Sequence, residues 1–213
     1  MPSEEAGDSD FIRRKLRSVP TPGATPTLHH VNLKTTRPGE MIDWYARVLG
    51  METVHRYPGG AWLTNDAANH RLALIVAPGV EDDPDKIKHA GLHHHAYEFP
   101  SMDDLLDGYV DLKAHGIVPH ACLDHGMTLS MYYVDPDGNS VELQCDEFGD
   151  WDKSKQFMLT SPQFAEDPIG RSFDPDKLVA ARDAGATSEE LHSRAYAGEF
   201  EPDEPLDLRL PPR

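Results

Sequence analysis

The chain has 213 residues, room for one substantial domain or two small modules sharing a core. Only 38% are hydrophobic, mean hydropathy is −0.56, and 37 acidic against 20 basic residues give a formal charge of −17, which repels nucleic acid and anionic lipid. No apolar run approaches the roughly 18 residues of a membrane span, the opening MPSEEAGDSD lacks a signal peptide's apolar stretch, and Cys122 and Cys145 are too few for a disulfide framework, so a reducing cytoplasm is expected.

Residues 1–26 are polar and broken by Pro20, Pro22, Gly23 and Pro26; they predict a flexible arm with a short basic helix at 11–17. From 27 to 147 runs a weak internal repeat, with modules at 27–80 and 90–147: LHHVNL at 28–33 returns as LHHHAY at 92–97. A helical segment follows each copy. In the first, Pro38 suits a first turn and Gly50 an end, with Met41, Trp44, Tyr45 and Val48 at helical spacing. In the second, Ser101 is the N-cap, Asp104 follows three residues on, Gly116 closes, and Leu105, Tyr109 and Leu112 form the stripe. Strand candidates come next: METVHR, AWLT and HRLALIVA, then IVPH, MTLSMYYV and NSVELQ, the last two joined by the turn DPDG. The pattern is βαβββ twice, an α+β fold with two modules forming a curved mixed sheet and helices on one face. Residues 148–213 are Pro-rich and acidic, with helix candidates at 175–184 and 188–195, and predict a C-terminal extension that wraps the domain or a partner subunit.

Strand alternation sorts the histidines. Val31 and Leu33 belong to the helix side, which turns His30 to the open face; the same register turns His94 there and makes His95 a buried, hydrogen-bonded residue. Glu142, between Val141 and Leu143, faces the same way. Singly, each reads as an ordinary strand residue. The repeat places two histidines at equivalent positions 64 residues apart, and with Glu142 they predict a two-imidazole, one-carboxylate metal site around which the sheet curves, with coordination positions left for substrate.

The segments LHHVNL, WYARVLGM, NHRLALI, GLHHHAYEF, DHGMTLSMYY and DPDGNSVEL resemble the vicinal-oxygen-chelate superfamily over residues 27–147, and within it the type I extradiol ring-cleavage dioxygenases. The resemblance implies Fe(II), with Mn(II) a substitute, on His30, His94 and Glu142, and a small aromatic diol and O2 as substrates. It implies further that His70 of NHRLAL is the acid–base histidine, that Tyr132, ten residues before Glu142, donates a hydrogen bond to substrate, and that His125 of the His-Gly pair stabilises oxygen. Two departures stand out: His125 lies two residues closer to Tyr132 than in the large enzymes of that group, and the loop between His70 and His94 is longer. Matching NSVEL to NHRLA puts Leu72 where relatives of the glyoxalase type carry a fourth ligand, and leucine binds no metal. The alternatives are a metal-dependent lyase or isomerase on the same scaffold, and a drug-binding protein without catalysis. A homo-oligomer, dimer or higher, is expected because exposed sheet edges need covering.

Overall fold

Both copies of the LHH repeat open a strand–helix–three-strand unit in the computed structural model, which describes residues 23 and 25–211. The basic helix expected at 11–17, and all of the expected arm except residues 23, 25 and 26, lie outside the described residues. The first unit comprises β1 (Val31–Lys34), α1 (Pro38–Leu49), β2 (Glu52–Tyr57), β3 (Gly60–Thr64) and β4 (Leu72–Ile75). The second comprises β5 (His94–Phe99), α2 (Met102–Ala114), β6 (Ala121–Asp124), β7 (Thr128–Val134) and β8 (Ser140–Asp146).

Local signals set these bounds. Pro38 fills a first-turn position where its missing N–H costs no bond, and Gly50 takes the left-handed φ of 62° that ends α1. Ser101 caps α2 by accepting from the Asp104 amide at 3.1 Å. The strand expected at IVPH is displaced: it begins at Ala121, after Pro119, which has no N–H to offer a ladder.

The mixed α+β pattern takes the form of two sheets rather than one continuous sheet. The first runs β1-β4-β3-β2 and the second β5-β8-β7-β6-β9, with β1–β4 and β5–β8 parallel and all other pairs antiparallel. In each, one face lies under helices. On the first, Leu33, Leu63, Leu72 and Leu74 pack with Met41 and Tyr45 of α1; on the second, Leu129, Met131 and Leu143 pack with Leu105, Leu106 and Tyr109 of α2. The two cores meet on this side, since Val141 of β8 is buried among Leu33, Leu63 and Leu72. Polar contacts reinforce the joint: the Tyr45 hydroxyl donates to Asp135 at 3.0 Å and lies 3.1 Å from Nε2 of the buried His95, and Arg37 pairs with Asp137.

The extension holds more structure than its composition suggested. Besides α5 (Pro175–Asp183) and α6 (Ser188–Tyr196), it forms α3 (Trp151–Thr160), α4 (Pro162–Glu166) and the short β9 (Arg171–Ser172), which pairs with β6. Phe173, Leu178, Leu191, Ala195 and Phe200 enter the same cluster as Met131 and Leu143, so the extension completes the second module's core. No helix among the described residues is long and apolar enough to cross a membrane.

Candidate active site

The open face of the second sheet carries the densest chemistry. Parallel pairing sets Ala96 beside Glu142, and His94 at the start of β5 reaches across to it: His94 Nε2 lies 3.0 Å from Glu142 Oε2. Two donors each about 2.1 Å from one ion, at right angles, stand about 3 Å apart, so this pair already has the spacing of neighbouring ligands. One imidazole nitrogen and one carboxylate oxygen, completed by a second imidazole, suit a divalent first-row metal. Burial tends to raise the Glu142 pKa, but hydrogen bonds from His94, Ser130 and Tyr132 outweigh it and hold the carboxyl below its usual value. Glu142 is therefore an anion at neutral pH.

Tyr132 and His125 extend the pair into a chain. The Tyr132 hydroxyl, with one proton to give, lies 3.1 Å from Glu142 Oε1 and 2.9 Å from His125 Nε2, so it donates to one of them at a time. Burial, then the Glu142 charge, push the phenol pKa up, so it keeps its proton. His125 Nδ1 lies 2.7 Å from the Ile169 carbonyl oxygen, which can only accept, so Nδ1 carries a proton and Nε2 faces Tyr132. The two-residue shortening before Tyr132 thus leaves His125 in reach.

Two cavities, about 520 and 390 Å³, share His94, His125 and Tyr132 in their walls. The larger is lined by Glu98, Glu142 and Asp146; the smaller is apolar, with Ala121, Leu123, Ile169, Leu208 and Leu210. Ile169, Leu208 and Leu210 were missed by sequence reasoning. The alternation in LDLRL at 206–210 is the signal that could have found two of them.

His30 and His70 stand elsewhere. They lie on the open face of the first sheet with His29: the three rings bring nitrogens within 4.8 Å of one another, and His30 and His70 have ring centroids 4.3 Å apart. This is the one such cluster of three histidine, cysteine or acidic side chains among the described residues. The expected set of His30, His94 and Glu142 is therefore not gathered within a single chain; the structure unites His94 with Glu142, and His30 with His70. Burial, then the neighbouring His30 and His29, lower the His70 pKa. The reading of Leu72 as the counterpart of Glu142 is off by one residue. Leu72 pairs with Val31 as Val141 pairs with His95, so Ala73 is the counterpart, and Leu72 belongs to the apolar core. Alanine offers no ligand either.

A family profile described as glyoxalase/bleomycin resistance protein/dioxygenase superfamily matches residues 27–143. The chain is 42% identical over 182 residues to biphenyl-2,3-diol 1,2-dioxygenase 2 of Rhodococcus globerulus, covering 85% of this chain and 95% of that protein. It is 40% identical over 191 residues to biphenyl-2,3-diol 1,2-dioxygenase 3 of the same organism, covering 88% and 98%. A solved glyoxylase/bleomycin resistance protein/dioxygenase domain from Frankia sp. EAN1pec superposes with a TM-score of 0.49 at 17% identity, over 58% of this chain and 93% of that one.

Proposed function

The chain belongs to the glyoxalase/bleomycin resistance protein/dioxygenase superfamily, and from that premise we propose that it is an extradiol dioxygenase, cleaving a catechol-type aromatic diol with both atoms of O2. One observation carries the reading: a chain of polar contacts at 2.9–3.1 Å, from His125 through Tyr132 and Glu142 to His94, lies against an apolar cavity of about 390 Å³. Apolar walls receive a flat ring, and the polar chain receives its two oxygens. The identity of about 40% to two biphenyl-2,3-diol dioxygenases over most of the chain supports the same reaction.

His94 and Glu142 would hold the metal, Fe(II) by preference and Mn(II) as substitute; His30, the expected third ligand, stands in this structure with His29 and His70. A metal held there would supply Lewis acidity to a diol hydroxyl and a path for electrons from the ring to oxygen. Tyr132, kept protonated, donates a hydrogen bond to a substrate oxygen and orients the ring. His70, with its lowered pKa, is neutral at working pH and is the histidine suited to accept a proton at a ring nitrogen, from its place beside His30 on the first sheet's face. His125, fixed by the Ile169 carbonyl, presents Nε2 to the oxygen side of the pocket. The leucines of the tail and Ile169 exclude water from the ring. Two buried free cysteines suit a reducing cytoplasm.

Oxygen uptake by anaerobically prepared, iron-loaded protein with 2,3-dihydroxybiphenyl and 3-substituted catechols tests this. Stoichiometric uptake with a yellow ring-opened product is expected. Bound metal with no uptake over the whole panel would hand the protein to the lyases and isomerases of the superfamily.

A further inference from the structure

Tyr132, Glu142 and His94 sit on strands, but His125 sits on a turn. It follows Asp124 at the end of β6, where the backbone turns into β7, closed by the His125 amide donating to the Thr128 carbonyl at 2.9 Å. A side chain on a turn is aimed only as well as the turn is held. The holding is done by residues beyond 143, where the segment shared with the superfamily stops.

Three contacts from the extension converge on this turn. Ile169, just ahead of β9, sets its carbonyl oxygen 2.7 Å from His125 Nδ1. Gly126 lies under the rings of Phe157 from α3 and Tyr196 from α6, which stand 2.8–2.9 Å from where a side chain there would begin. The third contact runs through a carboxylate. Asp124 is fully buried; its Oδ1 accepts from the Gly126 amide at 2.8 Å, and its Oδ2 lies 2.9 Å from Nδ1 of His192 on α6. A buried carboxylate is unfavourable unless its oxygens are bonded, and here each has a partner.

We propose that Asp124 and His192 are positioning residues for the reaction: through the Gly126 amide they fix the turn that aims His125 at Tyr132 and the cavities. Neither lines either cavity, so both act through His125. With the turn held, the Ile169 carbonyl keeps the proton on Nδ1, and Nε2 stays an acceptor 2.9 Å from the Tyr132 hydroxyl. Without His192, Oδ2 turns toward water and draws Oδ1 off the Gly126 amide, and the ring loses its aim. A misplacement of about 1 Å is enough to slow a reaction by up to about a hundredfold. The extension thus reaches the chemistry as well as the core. This inference rests on the role given to His125 in the proposed function.

The test compares three full-length variants, His192→Leu, His192→Asn and His125→Asn, each checked by circular dichroism. The asparagine amide donates from nearly the place of Nδ1, whereas leucine fills the space without a donor; the His192 side chain is 23% exposed, so neither opens the core. Oxygen uptake with 2,3-dihydroxybiphenyl should show kcat lowered about tenfold or more in His192→Leu, with KM little changed, and largely restored in His192→Asn. The His125 ring supplies a readout apart from turnover. Nitrogen NMR of isotope-labelled protein carrying diamagnetic Zn(II), with the His125 signals identified by their loss in His125→Asn, should show the Nδ1–H tautomer in wild type and His192→Asn. His192→Leu should show a mixture of tautomers. Wild-type kcat in a folded His192→Leu would overturn the proposal, as would equal losses in the leucine and asparagine variants. If His192→Leu does not fold, an Nε2–H tautomer in wild type, or kcat lost in folded His192→Asn, would refute it. Full kcat in His125→Asn would remove that histidine's role and the proposal with it, leaving the oxygenase reading intact. No uptake by wild type would remove the oxygenase reading alone, and the tautomers would then decide the positioning.

Discussion

Glu147→Gln should stabilise the protein increasingly as pH rises from about 4.5, with the full gain present above about 7. The Glu147 side chain is 7% exposed, lies 3.8 Å from His192 Nδ1, and sits near the fully buried Asp124, to which His192 is held at 2.9 Å. Burial chiefly, with Asp124 and Asp146 adding and His192 opposing, pushes its pKa up to about 7. The unfolded value is near 4.5. Below that value both states hold the proton and nothing is lost. Between 4.5 and 7 the unfolded chain releases its proton while the folded one keeps it, so stability falls as pH rises, and above 7 the full cost is present. A gap of about 2.5 units at 1.36 kcal/mol each is about 3 kcal/mol. Glutamine keeps the shape without the charge, so thermal unfolding at pH 8 should rise by roughly 10 °C, with little change at pH 4.5. An equal shift at both pH values, or a loss at pH 8, would refute the assignment of a buried, charge-crowded carboxyl beneath α6.

Tyr132→Phe removes the one hydroxyl proton, which Glu142 can accept in this structure and a bound substrate oxygen would take instead, and should slow turnover roughly ten- to hundredfold while metal content stays unchanged, since a hydrogen bond to a charged group contributes about 1.5–3 kcal/mol; elemental analysis beside steady-state rates checks both halves. Leu178→Ala, at a residue fully buried in the extension, should lower stability by about 2–5 kcal/mol in denaturant melts. Gly170→Ala meets a φ of 80° and puts a Cβ 2.0 Å from the Asp124 carbonyl oxygen. It should displace the neighbouring Ile169 carbonyl from His125 and lower kcat more than it raises KM. Because His70 must be neutral to take a proton, activity should fall as pH drops below its lowered pKa, and this acid limb should vanish in His70→Ala, which a pH profile of kcat/KM measures.

Periodicity and capping were enough to read the repeated unit, because each depends on neighbours within a few residues: the stripe of α1, Ser101 before α2, the DPDG turn before β8. The same logic put His94 and Glu142 on one face, since both belong to one sheet and alternation decides sides. It could not say whether His30 joins them. That depends on how two sheets are fastened, and the fastening is made by Val141, Tyr45 and Arg37, whose partners lie far off in the chain. The offset at Leu72 has a local cause: the match of NSVEL to NHRLA carries no strand register, which only the pairing of Val31 with Leu72 reveals. In the extension, α3 was overlooked although Asp150 accepts from the Asp152 amide, because a polar helix shows no clear apolar stripe.

The two residues of β9 have a practical meaning for anyone trimming this protein. The segment shared with the wider superfamily stops at residue 143, within β8, yet β6 is paired on its outer side by Arg171 and Ser172, and the cluster beneath it needs Phe173, Leu178 and Phe200. A chain cut where that shared segment stops would present a raw strand edge above a gap in its interior, the combination that seeds precipitation. Boundaries drawn from kinship and boundaries drawn from cooperativity differ here by some sixty residues, and expression designs should follow the second.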